Sequence, residues 1–181
     1  MIELLPAKVG SLFSINSLRE DLNVTHKTLA LWIDVLEKFY YHYRIYPFQT
    51  TIVKSLRKEP KLYLWDWSEI TDEEVRLENI VASHLLKFSQ FLFDGEGYKT
   101  QLYFLKDKEQ REVDFLMAVD GKPWFCVEVK KTFKGVPSSL RYFSTKLKIP
   151  LSYEVVDQEG TDFIKDGIRI MSVHKFLSGL V

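Results

Sequence analysis

The sequence predicts an α/β chain: an N-terminal winged helix, then a mixed β-sheet flanked by helices. Three observations lead there. The first fifty residues carry helical spacing and turn signals. The pattern shifts toward strand periodicity near residue 66. Beyond that point the elements run helix, three strands, helix, strand, an α/β order. The expected division is residues 1–65 and 66–181.

In the first part, Ser17 is placed to cap a short helix running through Leu22, and Asn23-Val24 makes a turn. Thr25 is a good N-cap for a longer helix reaching about Tyr41. Leu29, Ile33, Leu36 and Tyr40 recur at helical spacing and give it an inward stripe. Two helices around a short turn are helix-turn-helix-like. Tyr43–Phe48 and Lys61–Trp65 then read as two strands separated by a basic loop with Lys54, Arg57 and Lys58. Helices followed by a two-stranded ribbon suggest the winged helix.

In the second part, Leu77, Ile80, Val81, Leu85, Phe88 and Leu92 mark a helix from Glu73 to Phe93, ended by Gly95-Glu96-Gly97. Leu102–Leu105 is a strand. A hairpin around Asp120-Gly121 follows, with strands near Asp114 and Glu128. Pro137–Lys148 reads as a helix, Leu151–Val156 and Ile168–Met171 as strands, and Val173–Leu180 as a last helix.

Composition excludes several classes. Lys+Arg and Asp+Glu are 25 each, so no global basic field advertises nucleic acid, and such binding must come from local patches. The single cysteine, Cys126, excludes an internal disulfide framework and fits a reducing cytoplasm. No apolar run approaches a membrane span, and the N-terminus lacks a signal-peptide pattern, so a cytoplasmic chain without a membrane partner is expected.

The hairpin strands carry the chemistry. Arg111-Glu112-Val113-Asp114-Phe115 and Val127-Glu128-Val129-Lys130-Lys131 hold charges inside apolar runs. Buried, such charges cost several kcal/mol unless they pair or hold a metal. An acid on one strand and Glu-x-Lys on its partner is the arrangement of a Mg²⁺-dependent phosphodiesterase. Strand alternation puts Glu128 and Lys130 on one face and Phe125, Val127 and Val129 on the other. It likewise groups Val113, Phe115 and Met117 opposite Asp114, Leu116 and Ala118. Asp114 meets Glu128 only if even positions pair with even ones. A plain two-residue turn at Asp120-Gly121 would separate them, whereas an odd-length loop or a bulge would unite them. The competing reading makes Glu128 and Lys130 an exposed ion pair on an edge strand. Against it, Trp124-Phe125-Cys126-Val127 is too apolar for an edge.

Other candidates carry less. His26, His42, His84 and His174 lack zinc spacing and read as structural or surface residues. No Gly-x-Ser-x-Gly element is present. Lys131, Lys134, Arg141, Lys146 and Lys148 either track a nucleic-acid backbone or form a solvated helix face. His26, Lys27 and Lys38 could meet phosphate, but few nearby side chains look like base readers.

On these residues the second part resembles the PD-(D/E)xK nuclease superfamily, which implies a restriction-endonuclease-like sheet. Asp114 matches the strand acid, Glu128 and Lys130 the Glu-x-Lys pair, and Glu78 the helical acid. Val113 stands where the superfamily name has Pro. More widely, the winged-helix segment, Pro60-Lys61-Leu62-Tyr63-Leu64-Trp65-Asp66, Glu78 and the two hairpin strands resemble the C-terminal half of a prokaryotic AAA-type ATPase family, a domain of unknown function. Relatives tend to carry Arg on the first strand, where Gln101 or Thr100 stands here. The chain has no Gly-x-x-x-x-Gly-Lys-Ser/Thr and so no ATP site of its own. The resemblance implies a fragment, or an ATPase-less relative, of such an ATPase.

What the resemblance implies chemically is a Mg²⁺ or Mn²⁺ site cleaving phosphodiesters. Mg²⁺ takes one or two carboxylates plus waters and phosphate oxygens. Asp114, Glu128 and the Val129 carbonyl would be the ligands. Lys130 would orient or deprotonate the attacking water, and Glu78 would contact a metal-bound water. DNA is the expected substrate, with a partner ATPase or other protein docking through the winged helix. The alternative is a non-catalytic nucleic-acid or protein interaction module on a nuclease fold.

Overall fold

A computed structural model describes residues 1–49 and 58–180. Two 3₁₀ turns, Ile2–Leu4 and Pro6–Lys8, lead into α1 (Ile15–Leu22) and α2 (His26–Lys38). Strands β1 (His42–Pro47) and β2 (Lys61–Leu64) precede the long helix α3 (Glu73–Glu96). Then come β3 (Thr100–Lys106), β4 (Glu112–Val119), β5 (Lys122–Lys130), α4 (Ser138–Leu147), β6 (Leu151–Val156), β7 (Asp162–Lys165), β8 (Ile168–Ser172) and α5 (Val173–Ser178).

Local chemistry sets the helix ends. Thr25 accepts the Thr28 N–H and starts α2 as expected. The helix stops at Lys38, short of Tyr41, because Tyr40 turns the chain at φ 58°. Asp72 caps α3 by accepting the N–H groups of Glu74 and Val75, and Gly97 closes it at φ 74°. Helix α1 begins at Ile15, two residues before the predicted Ser17, and ends at left-handed Asn23.

The eight described strands form one mixed sheet in the order β2-β1-β3-β4-β5-β6-β8-β7. β3, β4 and β5 are neighbours, as expected, and pair antiparallel, while β5, β6 and β8 run parallel. The two strands read as a wing are no free ribbon. β1 pairs with β2 and also, through Tyr46 and Pro47, with Tyr103 and Phe104 of β3. The predicted boundary after residue 65 falls between β2 and α3, and one core crosses it. Leu29, Ile33 and Tyr63 pack in the same cluster as Val81, Leu85, Phe115 and Val127. A second core lies under α4, with Leu105, Val113, Leu116, Cys126, Leu140 and Phe143. β7 escaped the sequence reading because it is short and exposed along its length. Lys54 and Arg57 of the predicted basic loop lie outside the described residues.

Two bulges decide where the hairpin charges point. The β4–β5 turn has only two residues, Asp120 at φ 49° and Gly121 at φ 73°. Glycine takes this left-handed conformation without steric cost, and positive φ at both positions suits the twist of a tight hairpin. Ala118 pairs with Pro123 but Met117 with Phe125, so Trp124 is an extra residue on β5. That bulge restores the even pairing that an odd loop would have given. In the β3–β4 ladder, Tyr103 pairs with Leu116 and Leu105 with Val113, so Phe104 faces both Asp114 and Phe115. This second bulge corrects the face expected for Val113. It joins Leu116 and Cys126 in the core under α4, while Phe115, Met117, Val127 and Val129 pack in the core shared with α3.

Candidate functional site

β5 is an interior strand, hydrogen-bonded to β4 on one side and β6 on the other. Glu128 is therefore no exposed edge residue: only 5% of its surface is accessible. Cys126 Sγ and its partner Ser152 Oγ on β6 are 3.3 Å apart on the α4 face. Glu128 follows Cys126 at i+2, so it shares that face, and Glu154 pairs with it across the strands. Lys130 Nζ lies 2.7 Å from Glu128 Oε1. Glu128 Oε2 is buried without a hydrogen-bond partner among the described residues.

Asp114 reaches the same place from the β4 bulge. A bulge re-aims a side chain and interrupts the ladder. Asp114 Oδ2 accepts the Val129 N–H at 2.8 Å, between Glu128 and Lys130 in sequence. Asp114 Oδ1 lies 3.8 Å from Lys61 Nζ. Glu78, one turn into α3, accepts hydrogen bonds at Oε1 from Tyr63 Oη at 2.7 Å and Lys61 Nζ at 3.3 Å. Gly10 passes so close that a Cβ there would meet Glu78 Oε1 at 3.4 Å, and its φ of +72° independently favours glycine.

The electrostatics mark one cluster. Burial, then the Asp114 charge, pushes the Glu128 carboxyl up to about 8. The same two causes in the same order raise Glu78 to about 7. Burial pulls Lys130 down, but Asp114 and Glu128 outweigh it and the net shift is upward. Two buried carboxyls that resist ionisation, one with an orphaned oxygen, form a site short of positive charge. Among the described residues, no group of three or more His, Cys, Asp or Glu side chains is arranged to hold a metal ion. Asp114 and Glu128 are two, which is the number of carboxylates Mg²⁺ usually takes, with water completing the octahedron. The donor set and the orphaned oxygen fit such an ion.

The fold thus brings together Asp114, Glu128, Lys130 and Glu78, with Val129 tied in through its amide. Sequence reasoning missed Lys61, Tyr63, Glu112 and Glu154. Glu154 is 1% exposed, its Oε2 has no partner among the described residues, and burial raises its pKa to about 6. Lys61 is 2% exposed and lies between Glu112, Glu78 and Asp114. The signal that exposed Glu128, a charge inside an apolar strand, was present at Lys61 and Glu154 too.

The surface candidates are largely tied up locally. Lys131 pairs with Glu73, Arg141 with Asp166, and Lys146 donates to the Tyr142 hydroxyl. His42 is buried with Nε2 3.0 Å from the Ile33 carbonyl oxygen, and His84 Nδ1 lies 2.8 Å from that of Ile80. Neither neighbours the acidic cluster. No described helix is long and apolar enough to cross a membrane.

Comparison with known proteins adds two family matches. No curated protein and no solved structure matches the chain significantly. Residues 1–68 match a Domain of unknown function (DUF8612). Residues 76–176, more than half of the 181, match the Domain of unknown function (DUF4143). That second stretch holds Glu78, Glu112, Asp114, Glu128 and Lys130, and by it the chain belongs to the DUF4143 family.

Proposed function

We propose that this chain is a DNA-processing module whose Asp114–Glu128–Lys130 site cleaves phosphodiesters with Mg²⁺ or Mn²⁺. The observation that carries this reading is the buried, unpartnered Glu128 Oε2 beside Asp114, with Lys130 fixed on the other Glu128 oxygen. Asp114 and Glu128 would hold the ion, with the Val129 carbonyl as the third protein oxygen. When bound, the ion supplies a water of lowered pKa and neutralises charge developing on phosphorus. Lys130 orients the attacking water or holds the phosphate oxygen, and Glu78 steadies the water shell from the α3 side. Burial of the carboxylates excludes bulk water and strengthens each of these interactions.

The N-terminal segment serves docking in this reading. Leu31, Trp32 and Val35 of α2 and its C-cap Phe39 are all exposed, with Phe39 at 78%. An apolar helix face suits a protein better than a phosphate backbone, so we place a partner ATPase or another protein there, and DNA at the nuclease-like site. The resemblance to the C-terminal half of an AAA-type ATPase points the same way. Neutral overall charge keeps a second reading in play, a non-catalytic interaction module on a nuclease fold.

The test is Mg²⁺- or Mn²⁺-dependent cleavage of duplex, branched and single-stranded DNA. Cleavage is expected in the wild type and is lost in Glu128→Ala and Lys130→Ala, both folded by circular dichroism. Cleavage persisting in both variants places the activity elsewhere. No cleavage by the wild type on any substrate favours the interaction module.

A further inference from the structure

Lys61 is the most unusual side chain outside the predicted site. Its side chain is 3% exposed, yet it is a lysine. Nζ lies 2.7 Å from Glu112 Oε1, 3.3 Å from Glu78 Oε1 and 3.8 Å from Asp114 Oδ1. Three carboxylates from α3 and β4 converge on one ammonium delivered by β2. The Phe104 ring covers the same ammonium, 5.7 Å from its centroid. Lys61 and Tyr63 fall in the N-terminal family match, and the three carboxylates in the C-terminal one.

Position and charge together assign a role. Glu78, Glu112 and Asp114 come from two elements to one buried point, and Lys61 Nζ is the cation that reaches all three, while Lys106 Nζ lies 2.8 Å from the other Glu112 oxygen. We propose that Lys61 is a built-in counter-cation, standing where a second divalent ion would otherwise bind among Glu78, Glu112 and Asp114, and so fixing the site at one ion. This rests on the metal-dependent reading above. Lys61 is a positioning residue, since what it meets are the carboxylates. The distances to Glu112 and Glu78 are those of ammonium hydrogen bonds and that to Asp114 is an ion-pair contact, all longer than the roughly 2.0–2.1 Å that Mg²⁺ demands. That spacing is consistent with carboxylates set for a lysine. A further consequence is that the site is incomplete without β2, so the N-terminal segment takes part in building it.

The experiment is calorimetric titration of Mn²⁺ into the full chain, comparing wild type, Lys61→Arg and Lys61→Met. Arginine keeps the charge and methionine keeps only the stem. The expected result is one ion for wild type and Lys61→Arg, and two for Lys61→Met. A merely structural lysine would leave the stoichiometry unchanged, so one ion in Lys61→Met overturns the proposal. If wild type binds none, the metal-dependent reading falls. Lys61→Met gaining an ion would still support the counter-cation role, and Lys61→Met binding none would end it. If Lys61→Met is unfolded in metal-free buffer, circular dichroism with Mn²⁺ decides. Recovery of the fold with Mn²⁺ supports replacement of the lysine by an ion. Failure to recover, in Lys61→Met and in the charge-balanced Lys61→Met/Glu112→Gln alike, overturns it.

Discussion

The Asp114 carboxylate accepts the backbone N–H of Val129 at 2.8 Å, so the acid of β4 is tied to the residue between Glu128 and Lys130. The β4–β5 ladder pairs Phe115 with Val127, and the Asp114 side chain continues it where the backbone bulges away. Asp114 therefore has two jobs that mutation can separate. Asp114→Asn keeps an oxygen for the Val129 amide. It should fold with stability near wild type and lose Mn²⁺ binding. Asp114→Ala strands a buried N–H and should cost about 1–3 kcal/mol in addition. Urea unfolding and Mn²⁺ titration of the pair check this. Equal Mn²⁺ binding by wild type and Asp114→Asn would remove Asp114 from the site.

The raised carboxyls predict a pH dependence of stability. Glu128 titrates near about 8 and Glu78 near about 7, both far above the ordinary 4.5. The folded chain then holds these protons more tightly than the unfolded one, so their contribution to stability falls as pH rises from about 4.5 to about 8. His42 works in the opposite sense. Burial lowers its pKa below 6.5, so stability falls as its protonation sets in below that value. The range from about 6.5 to 8 therefore isolates the carboxyls. Thermal melts without metal should show Tm declining across it, with the slope shallower in Glu128→Gln. Mn²⁺ should raise Tm more at the upper end than at the lower. A Tm that rises from pH 6.5 to 8 without metal would contradict the buried pair.

Much of this was legible in the strand chemistry. Apolar runs interrupted by Asp114, Glu128 and Lys130 revealed both the strands and the cluster, because buried charges on strands must be compensated. The helix stripe of α3 was equally clear, and its Glu78 meets the cluster through Tyr63 and Lys61. The turn at Asp120-Gly121 was also legible, but the bulge at Trp124 was not. A bulge depends on which residue the tertiary packing leaves over, here a Trp that packs near the Phe88 and Phe125 rings. The same blindness put Val113 on the wrong face. Lys61 carried the same charge-in-strand signal, but its partners were hidden. Its partners lie 17 to 53 residues away in sequence, on α3 and β4, and no local pattern points from one to the other.

Asn79 supplies a structural prediction that sequence reading did not offer. It is fully buried on α3, where an apolar residue would be usual. Its Oδ1 accepts the Leu64 N–H and its Nδ2 donates to the Leu64 carbonyl, both at 2.8 Å. The side chain thus completes the hydrogen bonding of the last residue of β2, on the strand that carries Lys61 and Tyr63. Asn79→Leu fills similar space but leaves a buried donor and acceptor unpaired, which should cost about 2–4 kcal/mol. Because β2 is held by this amide, hydrogen exchange at Leu62 and Leu64 should accelerate more than at β5. Unchanged protection in β2 would show that the strand is held by its pairing with β1 alone.

The bulge at Trp124 gives the last prediction. With a two-residue turn, Asp114 and Glu128 share one rim only because Trp124 is left unpaired between Pro123 and Phe125. Pairing of β5 with β6 begins at Phe125, beyond the bulge. Deleting Trp124 therefore lets Pro123–Ala118 and Phe125–Met117 follow one another directly, with every contact below Phe125 in its present register. The loss is the indole packing near Phe88, with ring centroids 6.0 Å apart. The cost should be about 1–3 kcal/mol, close to that of Trp124→Ala, since a partly buried aromatic is lost in both. Mn²⁺ binding at Glu128 should survive in both. Deleting Trp124 and Phe125 together removes a paired core residue as well as the bulge and shifts β5 against β4 by one residue, turning Glu128 toward the core shared with α3. That variant should lose Mn²⁺ binding and much of its stability. If the Trp124 deletion abolishes Mn²⁺ binding while remaining folded, the bulge itself aims Glu128, and pairing parity alone does not explain the site.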